Sequence, residues 1–287
     1  ITAEHKLDVD GAIATRQVRH SVRPTLNLDF ANSKELDPRI TFYRDSIATY
    51  YDSKGVLRYA NTNEPRFDHD PATGESKGLL IEEDRSNIVP FSTNLETFST
   101  TRCTKIGNYA VAPDGTWSAV LIARKDSSGS RVIHDFNMFT PAANSTYAVS
   151  CYAKSVGNDY SFNIELGNGA NNVNALFNLS TGSATNTSVS GTMASVTSHI
   201  EDVGGGWYRC VMVAVHGASW NQSTNIAFYD TSNTDAASGI LVWGPQMEAG
   251  AFPTSYVPSD TRFTSRSSVA TYHDETGILR TAPADGA

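Results

Sequence analysis

The chain has 287 residues, of which 18% are charged and 10% aromatic, and its formal net charge is -8. This length accommodates one large β domain or one domain with appended modules. The negative charge, without any basic run, argues against nucleic acid and anionic membrane as partners, because both bind clustered Lys and Arg. No apolar stretch approaches the length of a membrane span.

The first 90 residues predict short elements without a large core. Residues 1–23 are polar and weakly patterned, so we expect an N-terminal arm or the end of an upstream module. Apolar and polar residues alternate over 24–30, which predicts the first strand of the ordered body. Residues 44–60 predict a hairpin whose turn places Gly55 at positive φ. We interpret residues 24–90 as a hairpin-rich connector.

This hairpin recurs near the other end of the sequence. Residues 44–60 and 266–282 align without a gap and share ten of seventeen identities, where unrelated stretches would share about one. The shared Asp and Gly follow from turn geometry, and residues 259–287 are predicted to begin a second connector. Two arginine pairs need another explanation, and we expect them to fix each hairpin to the adjoining sandwich or to a neighbouring chain: Arg44 with Arg266, and Arg58 with Arg280.

The region 91–258 predicts strands almost exclusively. Short apolar runs are separated by turns rich in Gly, Asn and Asp, and the predicted strands lie at 117–122, 147–153, 160–166, 207–215 and 240–243. Regular short strands with such turns favour a two-sheet sandwich or a jelly roll. The predicted fold class is all-β, a jelly-roll β-sandwich with hairpin-rich connector segments at both ends.

Four stretches carry a resemblance to a known family. Residues 146–154, 204–210 and 242–258, with the lead-in at 67–87, resemble the jelly-roll domain of tailed-phage fibre and spike proteins. The strand at 147–154 is also similar to one in carbohydrate-binding modules of the cellulose- and xylan-binding jelly-roll type. The resemblance implies a virion adhesin that contacts bacterial surface glycan, assembles as a homotrimer and meets other virion proteins. It transfers no ligand residue.

The residues give little support to catalysis, and we predict that the protein is not an enzyme. The sequence contains no serine nucleophile elbow, zinc-binding His-Glu-x-x-His, phosphate-binding loop or Cys-x-x-Cys. The seven histidines are scattered singly and are interpreted as surface or packed core residues. Glu82, Glu83 and Asp84 are adjacent and cannot all point to one bond, so a structural role such as holding Arg85 is favoured over glycan cleavage.

No metal site or cofactor is assigned. The acidic run at 68–75 differs from the helix-loop-helix calcium pattern, since Gly74 is one place late and Ala72 occupies a ligand position. A plain turn is therefore favoured. The resemblance still implies that a structural calcium ion can be bound elsewhere.

The candidate glycan-binding residues are aromatic side chains in polar loops. A sugar ring has an apolar face and a polar rim, so its site requires exposed aromatic faces beside amides and carboxylates. Trp220, beside Asn221 and Gln222, fits best, and Tyr160 is second.

The remaining tryptophans and two of the three cysteines are expected in the core. Trp207 and Trp243 lie in predicted strands, and the core is also favoured for Trp117. Cys151 and Cys210 are interpreted as small buried thiols. A bridge between them stays open, because neighbouring strands can bring their Cα atoms close enough.

The favoured function is a structural and adhesive virion component, a phage fibre or spike that presents a glycan-binding jelly roll to the bacterial surface. One alternative is a purely architectural virion protein, such as a head fibre, collar or decoration protein, without glycan binding. The second is a capsular polysaccharide depolymerase, which requires carboxylates from separate strands to converge in a groove.

Overall fold

The computed structural model describes residue 26 and residues 28–124, 131–136, 140–158, 160–168, 171–217, 224–230 and 238–259, together with four short strands outside these ranges. Small elements precede the sandwich. They are β1 (Lys6–Leu7) paired with β2 (Ile13–Ala14), helix α1 (Phe30–Ser33), β3 (Ala48–Tyr51) paired with β4 (Leu57–Ala60), β5 (Phe67–His69) paired with β6 (Ser76–Leu79), and a 3-10 turn at Leu95–Thr97.

The strand predicted at 24–30 is wrong for the part of it that the structure describes. Phe30 begins helix α1, and Leu28 is 54% exposed and not in a strand. The Asn32 amide donates to the Asp29 carboxylate at 2.8 Å, and the backbone N–H of Ser33 donates to the Asp29 carbonyl at 3.0 Å. These local hydrogen bonds close a helical turn, which satisfies backbone groups that a strand would have to pair with a neighbour.

Twelve strands build the sandwich. In chain order they are β7 (Ser99–Thr101), β8 (Cys103–Ala110), β9 (Ala119–Arg124), β10 (Arg131–Phe136), β11 (Thr146–Val156), β12 (Ser161–Asn168), β13 (Asn171–Asn178), β14 (Ser183–Val189), β15 (Met193–Asp202), β16 (Tyr208–His216), β17 (Thr224–Asp230) and β18 (Gly239–Ala249).

These strands form two six-stranded antiparallel sheets. Sheet I has the order β14-β13-β12-β17-β10-β7, and sheet II has the order β15-β16-β11-β18-β9-β8. Because β12–β14 and β17 belong to sheet I while β11, β15, β16 and β18 belong to sheet II, the chain crosses repeatedly from one sheet to the other, as it does in a jelly roll. The all-β sandwich prediction is confirmed. The segment boundaries predicted at residues 23, 90 and 258 stay predictions.

The burial pattern of each strand follows its sequence. In β13 (Asn-Asn-Val-Asn-Ala-Leu-Phe-Asn) the buried residues Val173, Ala175 and Phe177 alternate with more exposed ones, as expected when one sheet face is open. β11 and β18 instead carry near-continuous buried runs. Such runs indicate strands that are covered on both faces.

Two hydrophobic cores explain this difference. The larger core fills the space between the sheets, where Ile164 and Phe228 of sheet I and Met212 of sheet II are fully buried. The second core lies on the outer face of sheet II, where Leu57 of β4 belongs to one cluster with Trp243. The connector is therefore part of the folded body.

The hydrogen-bond and ion-pair partners of Arg44 and Arg58 lie in or next to the first hairpin, so these bonds do not fix it to the adjoining sandwich; a contact with a neighbouring chain is untested. Arg44 donates from Nε to the carbonyl of Ser46 at 2.8 Å and from Nη2 to the carbonyl of Ala60 at 3.1 Å. Arg58 pairs with Asp52 at 2.7 Å. Both side chains stabilise the hairpin itself, because their partners lie within it.

The second copy of the repeat also forms a hairpin, with β19 (Ala270–His273) paired to β20 (Leu279–Ala282). The side chains of residues 260–287 lie outside the description, so the expectations for Arg266 and Arg280 are untested.

The expected core residues are largely buried. Trp207 and Trp243 are 6% and 1% exposed, and Cys151 and Cys210 are buried free thiols at directly opposed positions of β11 and β16. The expectation for Trp117 is wrong, since it is 63% exposed in the segment between a turn and the start of β9. No helix in the described part of the chain is long and apolar enough to cross a membrane.

Candidate functional site

A groove of about 320 Å³ lies on sheet II, along the edge strand β15 and its neighbour β16. We call it the β15–β16 groove and define it by the residues that line it: Thr197, Ser198, His199, Glu201, Arg209, Val211, Val213, Ala251, Phe252 and Pro253. Its volume is at the lower end of the range for ligand pockets, about 300–1,000 Å³.

The floor of the groove is set by strand register. Thr197 lies opposite Val213, and His199 lies opposite Val211. Opposed residues of antiparallel strands point to the same face, so polar side chains of the edge strand stand beside an apolar row of the next strand. Val211 is only 6% exposed, whereas His199 is exposed. The floor is therefore amphipathic across its width.

An aromatic wall comes from the loop that follows β18. Phe252 is 48% exposed, and the Arg85 guanidinium lies 4.3 Å from its ring centroid. Arg85 also donates to the Phe252 carbonyl at 2.5 Å and pairs with Glu83 at 2.6 Å. Gly250 leaves room for this guanidinium, since a Cβ there would lie 2.3 Å from Arg85 Nη1. The connector thus positions the wall.

A buried cation closes one end of the groove. Arg209 is 9% exposed, and its Nη2 donates to the Thr254 carbonyl at 2.6 Å and to Ser150 Oγ at 3.2 Å, while its Nε has no partner. Burial by itself lowers the pKa of Arg209, but Tyr152 and the other groups around it raise the pKa above the ordinary value for arginine. Arg209 is therefore a permanent positive charge opposite Glu201 in register.

The groove combines a single carboxylate with other polar groups and apolar side chains. Glu201 is the only carboxylate among its described lining residues. Glycoside hydrolysis ordinarily needs a pair of carboxylates about 5–9.5 Å apart, one as acid and the other as nucleophile or base. An apolar floor, an aromatic wall, a histidine, a carboxylate and a guanidinium instead provide the mixed surface that a sugar ring requires.

Of the sequence-predicted glycan residues only Tyr160 lies in the described part of the chain, and it does not line this groove. Trp220, Asn221 and Gln222 lie outside the described residues. Tyr160 is 40% exposed and directly precedes β12 of sheet I, so it belongs to the other sheet. Its backbone carbonyl accepts a hydrogen bond from Leu179 at 2.8 Å.

Two of the three adjacent acidic residues, Glu82 and Glu83, make structural ion pairs. Glu82 accepts from Arg66 Nη1 at 2.8 Å and from the Ser255 hydroxyl at 2.7 Å. Glu83 pairs with Arg85, as the sequence suggested. These contacts tie the connector to the loop after β18, next to the groove.

The predicted turn at 68–75 closes through its own backbone and through one ion pair. Asp70 accepts from the N–H groups of Ala72 and Thr73 at 3.1 and 2.9 Å and pairs with Lys77 at 3.3 Å. Among the described residues, no group of three or more His, Cys, Asp and Glu is placed to hold a metal ion.

Sequence reasoning missed most of the groove. His199 was one of seven scattered histidines, and the polar strand β15 was not among the predicted strands. Alternation of Thr197, His199 and Glu201 with Val196, Ser198 and Ile200 was the available signal for a half-exposed edge strand. Nothing in the sequence linked that strand to Phe252, some fifty residues later.

Comparisons with known proteins give no assignment. No protein-family model and no curated protein matches the sequence. The CBM22-1 and GH10 modules of a Clostridium thermocellum endo-1,4-beta-D-xylanase, complexed with xylohexaose, are 10% identical over 60% of this chain and 29% of theirs, with a TM-score of 0.37.

Two further structures are similar at the same level. A protein assigned as sugar-binding from Bacteroides thetaiotaomicron is 8% identical over 57% of this chain and 95% of its own, with a TM-score of 0.33. A Stig cyclase from Fischerella, in complex with an indole compound, is 11% identical over 72% of this chain and 100% of its own, with a TM-score of 0.33. Similarity this weak identifies no activity.

Proposed function

We propose that the protein is a non-catalytic adhesive module whose β15–β16 groove binds glycan. The observation that carries this proposal is the groove itself, in which Phe252 faces an amphipathic strand pair closed by Arg209. The apolar floor and the ring can take the C–H face of a pyranose, while His199, Glu201 and Arg209 can bond its hydroxyl groups.

We further propose that the module belongs to a phage fibre or spike, and that it works as a homotrimer beside other virion proteins on the particle surface. The support is the sequence resemblance at 67–87, 146–154, 204–210 and 242–258. Trimerisation would place three grooves on one particle component, so individually weak contacts would add to strong attachment. Native mass spectrometry of the full chain should then give about three times 31.0 kDa.

The test begins with the full-length protein on an array of bacterial surface glycans. The best ligand is then titrated by calorimetry into the wild type and into Phe252→Ala and His199→Ala. We expect Phe252→Ala to weaken binding about tenfold, which corresponds to about 1.4 kcal/mol and is typical of a lost aromatic contact. Phe252→Tyr should retain most of the affinity, because the ring is kept.

Two matched controls locate the site. Trp117 and Tyr160 are exposed aromatic residues outside the groove, at 63% and 40% exposure, so their alanine variants should bind like the wild type. If Tyr160→Ala or Trp117→Ala abolishes binding while Phe252→Ala does not, the site lies elsewhere on the sandwich. Trp220→Ala tests the original sequence prediction in the same series.

The alternatives give different results. If no glycan on the array binds at millimolar concentration, the purely architectural virion protein would be favoured. Sustained release of new reducing ends from capsular polysaccharide would establish a depolymerase and overturn the non-catalytic proposal.

A further inference from the structure

A second cavity, of about 290 Å³, lies where the connector meets the sandwich. We call it the two-lysine pocket. Its lining comes from two turns of the connector and three segments of the sandwich, namely residues 54–55, 71, 111–113, 154, 203–205 and 207. None of these residues lines the β15–β16 groove, so the pocket is a separate feature of the surface.

Glycines bring the walls of the pocket together. A Cβ on Gly55 would overlap the carbonyl oxygen of Pro71, and a Cβ on Gly204 would lie 3.0 Å from the same atom. Both glycines have positive φ, at 74° and 82°. Any other residue at either place would strain its turn and push it away from Pro71. The packing of the connector on the sandwich therefore forms the pocket.

Every polar side-chain group among the described lining residues is a hydrogen-bond donor. These groups are the ammonium groups of Lys54 and Lys154 and the indole N–H of Trp207, and the other lining side chains are apolar. A hydroxyl group both donates and accepts hydrogen bonds, whereas an ionised carboxylate, phosphate or sulfate group accepts several. The donors of this pocket therefore match an oxyanion better than a neutral sugar.

These donors are open to a ligand. Neither ammonium group forms an ion pair within the described chain, and Lys154 makes one hydrogen bond, to the carbonyl of Gly205 at 2.7 Å. Trp207 is 6% exposed. Its indole N–H has no partner among the described residues, yet it is not shut off from solvent. A ligand in the pocket can accept from all three side chains.

The carboxylates that lie next to the pocket in sequence have other partners. Asp52 and Asp70 pair with a neighbouring arginine and lysine at 2.7 and 3.3 Å. Asp114 and Asp202 each accept from the backbone N–H two residues later, at 2.9 and 2.8 Å. Contact with these groups therefore does not neutralise the two lysines, which form a local positive site on a chain of net charge -8.

We propose that the two-lysine pocket binds an oxyanion between Lys54 and Lys154, with the indole N–H of Trp207 as the third donor. The oxyanion can be a free ion or the acidic group of a sugar. Since a water molecule occupies about 30 Å³, the cavity has room for more than a bare ion. Its apolar lining, which includes Val111 and Pro113, favours an oxyanion carried by an organic group.

The test titrates the full-length protein, at constant ionic strength, with sodium phosphate, sodium sulfate, sodium glucuronate and neutral glucose. The readout is the set of tryptophan indole N–H signals in nitrogen-15 NMR spectra, with the Trp207 signal assigned from a Trp207→Phe variant. We expect the three anions to shift this signal and glucose to leave it unchanged. Tighter binding of glucuronate than of phosphate would identify an acidic sugar as the source, and equal binding a free ion.

Lysine variants locate the site. Lys54→Met and Lys154→Met should each weaken anion binding about tenfold, because each removes a charge-assisted hydrogen bond. Lys54 is exposed and Lys154 half-buried, so both variants should keep the Tm of the wild type. Lys34→Met removes the same charge from an exposed position outside the pocket and should bind like the wild type. Phe252→Ala, in the β15–β16 groove, should also leave anion binding unchanged.

Three results would overturn the proposal. The first is a Trp207 signal that none of the anions shifts at tens of millimolar. The second is glucose binding as tight as that of glucuronate, which would show recognition of the sugar and not of its charge. Both results come from the wild type, so they do not depend on how the variants fold. The third is a loss of affinity in Lys34→Met equal to that in the two pocket variants.

Discussion

Leu57→Ala measures how strongly the connector is held to the sandwich. Leu57 is 2% exposed and belongs to the second core, which also contains Tyr152, Trp243 and Tyr256. Removing a buried leucine side chain and leaving a cavity costs about 3 kcal/mol. For a domain of this size 1 kcal/mol shifts Tm by about 2–4 °C, so Tm should fall by about 6–12 °C.

The assays are thermal unfolding, which gives Tm, and urea unfolding, which gives the free energy, each followed by circular dichroism and by tryptophan fluorescence, with Ile81→Ala as the control. Ile81 lies in the same connector but is 78% exposed, so its variant should change stability by less than about 0.5 kcal/mol. Both probes should give one transition with an unchanged slope, because hairpin and sandwich share a core. A loss below 1 kcal/mol for Leu57→Ala, or a separate early transition, would refute the docked connector.

Three other predictions concern buried polar groups and thiols. Burial lowers the pKa of His216 from 6.5 to about 4, so the unfolded chain binds a proton that the folded chain does not between these pH values. Acidification from pH 7 to pH 4 should therefore lower the free energy of unfolding by at most about 3 kcal/mol. In urea titrations at several pH values, His216→Phe should reduce this pH dependence. Arg66→Met removes the guanidinium that bonds Glu82, and should lower the free energy of unfolding by about 2–4 kcal/mol in the same assay; an unchanged midpoint would contradict the contact. Burial raises the pKa of the Cys151 and Cys210 thiols, so iodoacetamide at pH 8 should label them only after unfolding. If these two residues stay unlabelled in the unfolded chain, they form a disulfide.

The sequence predicted the sandwich well where strands are strongly apolar. β11 and the first half of β18 are buried on both faces and carry mostly apolar residues, so they stand out in the sequence; the second half of β18 buries Gln246 and Glu248 and did not. Buried free thiols at Cys151 and Cys210 followed from the apolar character of their strands, β11 and β16. The first hairpin was predictable from Asp52 and Gly55, because turn geometry restricts residue type at those positions.

The site was harder to predict because it depends on contacts between distant segments. Strand β15 is polar on its exposed face, and its role appears only once register places His199 beside Val211. Phe252 becomes a wall only because Arg85, far away in the connector, holds it. Trp117 was misplaced because an aromatic residue beside a strand looks like a core residue until the strand's first residue, Ala119, is known.

Hydrogen exchange measured by mass spectrometry tests the central claim, that glycan binds in the β15–β16 groove. The full-length protein is compared with and without a saturating concentration of its best array ligand. The account predicts added protection in peptides that cover 195–213 and 250–254, which contain the floor and the wall. Protection confined to peptides around Tyr160 in sheet I, or around Trp117, with the groove peptides unchanged, would contradict it.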